Sequence, residues 1–70
     1  MDTVTARVWL TIPQRHVCRR IDLAAVELAF GLTRATREPR AILLVGRYFR
    51  VERAKQAIAV QLDDLIYTRR

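Results

Sequence analysis

The sequence predicts a small α+β domain: a three-stranded antiparallel sheet with two or three helices packed on one face, in the order β-α(α)-β-β-α. Three observations carry this reading. Val4, Ala6, Val8, Leu10 and Ile12 alternate with Thr3, Thr5, Arg7, Trp9 and Thr11, the period of a half-buried strand. Ala41-Ile42-Leu43-Leu44-Val45 is an unbroken apolar run between Glu38-Pro39-Arg40 and Gly46. It reads as the central strand, buried on both faces. After Gly46 the period changes, with Val51, Ala54, Ile58, Leu62 and Leu65 recurring at steps of three and four. Glu52, Arg53, Lys55, Gln56 and Asp63 take the opposite side, so this is an amphipathic helix that must lie back on the sheet.

Each element has its own justification. Pro13 has no amide to give a ladder and is expected to end the first strand. Its valine-leucine face should meet the helices, leaving Trp9 and Arg7 on the other face. Gln14 to Gly31 reads as helix, in one piece or two. Val17, Ile21, Ala24 or Ala25, and Leu28 form a stripe, and Gly31 is a natural stop. Asp22 is a good N-cap, so a helix over Gln14–Arg20 followed by another from Leu23 fits as well as a continuous one. Leu32–Arg37 reads as a weaker strand, with Leu32, Arg34 and Thr36 on one face and Thr33, Ala35 and Arg37 on the other. Two arginines in a strand of low hydrophobicity suit an edge. Glu38-Pro39-Arg40 connects it to the central strand by a tight hairpin. Tyr48 or Phe49 is expected to staple the start of the last helix, which runs from Phe49 or Arg50 to Ile66. Tyr67–Arg70 is too short to count as a further strand.

Seventy residues make a single domain, 1–70, and about half of them are apolar. A chain this short buries only about 60% of its unfolded surface, so its stability is marginal unless a partner helps. No apolar run exceeds five residues, so no membrane span is expected, and no secretory signal is visible. Cys18 is the only cysteine, which suits a reducing, intracellular compartment. His16 and Cys18 stand two apart, a spacing that does not face on a helix, and neither glycine belongs to a phosphate loop. Asp63-Asp64 reads as solvated surface. No catalytic constellation, metal or cofactor is expected.

The net charge is +6, and Lys55 is the one lysine among thirteen basic residues. Such a balance attracts phosphate polyanions by counterion release, and arginine suits forked phosphate contacts and stacking. The densest cluster is Arg15, His16, Arg19 and Arg20. If the chain touches RNA, Arg15, Arg19 and Arg20 are the expected phosphate contacts, with Arg34, Arg37 and Arg40 on the neighbouring edge. If it binds protein, the expected surface is the open sheet face with Trp9 and Arg7, or the outer face of the last helix. The competing reading of Trp9 is that it only covers the open side of a small sheet.

Two segments together resemble a KH domain of the eukaryotic type I order. Ile12-Pro13-Gln14-Arg15-His16-Val17-Cys18-Arg19-Arg20-Ile21 is similar to the family's opening, with a valine four residues and an isoleucine eight residues after an Ile-Pro pair. Cys18 stands where a small residue, often glycine, is usual. Gly46, then Val51, Ala54, Lys55 and Ile58, is similar to its end, Val-x-x-Ala-Lys-x-x-Ile. The family grips the nucleic-acid backbone with a GXXG loop. Here Ile21 runs into Asp22-Leu23-Ala24-Ala25, and the next glycine is Gly31. The resemblance therefore implies a degenerate KH domain, a non-enzymatic module of an RNA-associated protein. Such a module would serve mainly protein contact or dimerisation, with only non-specific backbone contact to RNA. Direct single-stranded RNA binding through an arginine groove is the alternative.

A second resemblance competes. Arg7-Val8-Trp9-Leu10-Thr11-Ile12-Pro13 and Phe30-Gly31-Leu32 are similar to NIL domains, ligand-sensing modules of the ACT type with a ferredoxin-like fold. That fold implies one continuous helix from Gln14 to Phe30, a fourth strand after the last helix, and a small-molecule regulatory role.

Overall fold

The computed structural model describes residues 2–67. Strand β1 (Thr3–Trp9) leads into helix α1 (Ile12–Val17), which tightens into a 3₁₀ turn, Cys18–Arg20. Helix α2 (Leu23–Phe30), strands β2 (Arg34–Arg37) and β3 (Ala41–Arg47), and helix α3 (Tyr48–Tyr67) follow. The fold is α+β. The sheet is antiparallel in the order β1-β3-β2, so the apolar strand is central. Helix α3 packs on β1 and β3, α2 beside β2, and α1 against α3.

Register sorts the side chains. Val4 pairs with Gly46, Ala6 with Leu44, Val8 with Ile42, Ala35 with Leu44 and Arg37 with Ile42; these residues make the helix-facing side. Ile42 and Leu44 meet Val51, Ala54, Ile58 and Leu62 of α3, all inaccessible to solvent. Leu10, Val17, Cys18, Ile21, Val26 and Leu32 complete the core. The stripe predicted for α3 is thus the one it buries.

Several boundaries differ from expectation, each for a local reason. The first strand stops at Trp9, before Pro13. Thr11 caps α1, its hydroxyl accepting from the Gln14 amide while the Gln14 side chain accepts from the Thr11 amide, 2.8 Å. This capping box turns Ile12 and Pro13 into the first helical turn, where a missing amide costs nothing. Strand β3 runs on through Gly46 to Arg47, so the glycine is not a turn. A Cβ at Gly46 would lie 3.2 Å from Leu32 Cδ2 and 3.4 Å from Leu32 Cα, so its lack of a side chain admits the incoming chain. Nor is β3 buried on both faces: Leu43 and Val45 are half-exposed on the open side. Helix α3 starts at Tyr48, and Tyr48 and Phe49 pack edge-to-face on each other at 6.0 Å while both stay exposed. Neither is a staple. Tyr67 closes α3, and residues 68–70 lie outside the described residues.

The segment Gln14–Gly31 is two helices. Asp22 caps α2 by accepting from the Ala25 amide, 3.1 Å. Ile21 is extended, with φ −84° and ψ 127°. The break shifts the phase of the apolar stripe, so α2 buries Val26 while Leu28 is 87% exposed. Gly31 stops α2 in the left-handed conformation, φ 64°, with its amide on the Glu27 carbonyl. Among the described residues no helix is long and apolar enough to cross a membrane.

Candidate interaction surfaces

The six arginines expected to contact nucleic acid do not form one groove. Arg15, Arg19 and Arg20 are exposed along α1 and the 3₁₀ turn. Arg40 is exposed in the β2–β3 connection, its carbonyl accepting from the Leu10 amide. Arg34 pairs with Val45 in the sheet's open face. Arg37 lies on the helix-facing side, and its Nη2 donates to the Cys18 carbonyl at 3.0 Å and the Ile21 carbonyl at 2.6 Å. The Cys18 carbonyl also accepts from the Ile21 amide at 3.0 Å, and Arg37 adds a charged donor to it and to the Ile21 carbonyl at the end of the 3₁₀ turn, where helix carbonyls run short of partners. With Asp22 capping the next helix, the chain passes from one helix to the other through a two-residue joint without glycine. Arg37 draws the end of β2 to the 3₁₀ turn, so Arg19 and Arg20 flank the carbonyls it holds.

The open face carries Thr3, Thr5, Arg7 and Trp9 from β1, Ala41, Leu43, Val45 and Arg47 from β3, and Arg34 and Thr36 from β2. Trp9 pairs with Ala41 at one end of this face and is 70% exposed. Arg7 Nε donates to Glu38 Oε1 at 2.9 Å, an ion pair spanning the central strand. The hydrogen bond first, and the charge second, raise the Arg7 pKa above its ordinary value. Both partners reach solvent, so the pair orders the face more than it stabilises the fold. Ala41, the partner of Trp9 in the central strand, is 1% exposed. The half-exposed Leu43 and Val45 lie along the middle.

The two sheet edges differ. Strand β2 is short, and its Ala35 amide donates to Glu27 Oε2 at 2.7 Å, so a helix side chain blocks that edge. Strand β1 is seven residues long and pairs with β3 alone. Its core-side residues Val4, Ala6 and Val8 are only partly buried, leaving the core open on this side. Such an edge is a template for strand addition. Beyond its first turn, the outer face of α3 is by contrast mostly polar, carrying the Lys55–Glu52 pair at 3.4 Å, with Val60 and Tyr67 as large apolar residues among exposed polar ones.

A further cluster escaped the sequence reading. Arg47, Arg50 and Arg53, with Ala29, Phe30 and Phe49, line an open cleft of about 590 Å³ between the end of α2 and the start of α3. Arginine at every third residue was the available signal, but of the three only Arg53 was read, as part of the polar face of the last helix. His16 is exposed and Cys18 buried, with the thiol donating to the Arg15 carbonyl at 3.4 Å. Asp63 and Asp64 are exposed. Among the described residues no cluster of three or more histidines, cysteines or carboxylates could hold a metal. No family model, curated protein or solved structure matches the chain.

Proposed function

We propose that the chain is a non-enzymatic interaction module of an RNA-associated protein, a KH-like domain without the backbone-gripping loop, whose main contact is with a second copy of itself through the free edge of β1. The observation that carries this is the asymmetry of the edges: β2 is short and blocked by Glu27, whereas β1 is long and open. A second copy is the occupant that fits. Antiparallel pairing of β1 with its own copy about a two-fold axis keeps Val4, Ala6 and Val8 on the core side and Thr5, Arg7 and Trp9 on the open side. The pairing would join two sheets into one of six strands and cover the partly buried row.

The helix break at Asp22 supports the KH-like reading over the NIL-like one, which requires a continuous helix. The Arg37 clamp supports its degenerate form: the joint between the helices directs carbonyls at a guanidinium, where a phosphate grip requires free amides. A groove spanning both sets of arginines loses support for the same reason, since Arg37 is engaged. The buried Cys18 thiol suits an intracellular protein.

Sedimentation velocity across a concentration series tests this reading. The wild type is expected to shift reversibly from monomer to dimer. Thr5→Lys places a charge on the open edge, and Trp9→Ala removes the largest side chain beside it. Each is expected to raise the dimer dissociation constant at least about tenfold. A wild type that stays monomeric at all concentrations, or one that dimerises unchanged with Thr5→Lys, would exclude the β1 interface; strand addition by a different chain would then be the remaining use of this edge.

A further inference from the structure

The arginine–phenylalanine cleft is independent of the sheet edge. We propose that it binds a nucleotide unit of single-stranded nucleic acid, with the phosphate on Arg50 and Arg53 and the base against Phe49. Arg47 and Arg50 bracket Tyr48 and Phe49 at the junction of β3 and α3, and Arg53 lies one turn further on. Among the described residues, no carboxylate or other group partners Arg50 or Arg53. Their charge is not spent on the fold. It also opposes the fold locally: the first turn of α3 holds no acidic residue, although that end of a helix favours negative charge and disfavours cations. An arriving anion relieves this arrangement.

The aromatic side chains narrow the class of anion. Phe49 is 79% exposed, and Tyr48 meets it edge-on with ring planes 70° apart. Phe30, partly buried against the core, contributes to the opposite wall from α2. An exposed aromatic ring among forked cations is suited to a planar group that carries a phosphate, since every base has a face to stack and arginine binds phosphate through two donors. The cleft, at about 590 Å³, lies within the usual range of small-ligand sites. Bases in a duplex keep their faces stacked, so the strand must be single. Arg50 has a positioning contact as well: its guanidinium lies over Gly31, where a Cβ would collide with it.

Fluorescence anisotropy with a short labelled single-stranded RNA, at near-physiological salt, tests the proposal through two charge-matched variants. Arg50→Ala/Arg53→Ala removes two charges from the cleft, and Arg19→Ala/Arg20→Ala removes two from the 3₁₀ turn. The first is expected to lose at least about tenfold in affinity and the second less than about threefold. Phe49→Ala changes no charge and is expected to lose about fivefold or more; it carries the test should the first variant fail to fold by circular dichroism. Equal losses in the two double variants, or undiminished binding by Phe49→Ala, would overturn the proposal. Adenosine monophosphate supplies the second arm. Displacement of the RNA identifies a site that accepts a free nucleotide, and no displacement identifies one that needs linked phosphates; both keep the chemistry assigned to the cleft. Failure here would leave the dimer measurement untouched.

Discussion

Leu44→Ala is expected to lower the unfolding free energy by about 3–5 kcal/mol, a large part of the roughly 4–10 kcal/mol that a domain of this length holds. Leu44 is fully buried at the middle of the central strand. Its neighbours across the sheet are Ala6 on β1 and Ala35 on β2, so it is the one large side chain spanning the helix-facing side at that level. Two flanking alanines cannot move in to fill the space, and α3 is held above it by Val51, Ala54 and Ile58. The cost therefore belongs at the upper part of the range for a buried leucine, where the cavity does not collapse. Leu43→Ala, one residue away, lies on the open face and is expected to cost about 1 kcal/mol or less. Urea denaturation of the pair measures the contrast. Equal losses would mean that the two faces of β3 are not divided as described.

Arg37→Met is expected to lower stability by about 1.5–3 kcal/mol, or the melting midpoint by about 10 °C, while leaving RNA affinity within about twofold of wild type. Methionine keeps an aliphatic stem and removes both donors. The Cys18 and Ile21 carbonyls then lose a charged partner at the point where the chain turns from the 3₁₀ turn into α2. Arg20→Met, a control with the same loss of charge on an exposed side chain, is expected to melt within about 2 °C of wild type. Comparable melting in the two variants, or a selective loss of RNA affinity with Arg37→Met, would return Arg37 to the list of ligand contacts.

The contrast between Leu44 and Arg37 marks how far the sequence could be read. Period two in β1, the apolar run of β3 and the stripe of α3 each arise from burial, and burial dominates the energetics of a small domain. The sheet, its central strand and the buried face of α3 were therefore legible. The α1 boundary was also written in the sequence, as Thr11-x-x-Gln14, but alternation continuing to Ile12 masked it. What could not be read was where individual arginines spend their donors. Arg37 was correctly placed on the same strand face as Ala35, yet its capping of Cys18 and Ile21 depends on a β2–helix contact that only the fold creates. The cleft posed the same problem. Phe30 and Arg50 are far apart in the chain, and arginines spaced by three across the end of a strand and the start of a helix look solvated until a second helix ends beside them.

Amide hydrogen exchange along β1 tests the central claim, that the free edge of the sheet is an interface between copies, most directly. Alternate amides of Thr3–Trp9 point away from β3, since that strand pairs on one side only. In a β1–β1 dimer these amides are expected to exchange slowly at high protein concentration and to lose protection on dilution, with the β3-facing amides protected throughout. Thr5→Lys should abolish the concentration dependence without affecting the β3-facing set. Outward amides that exchange at the unprotected rate at every concentration would contradict the account.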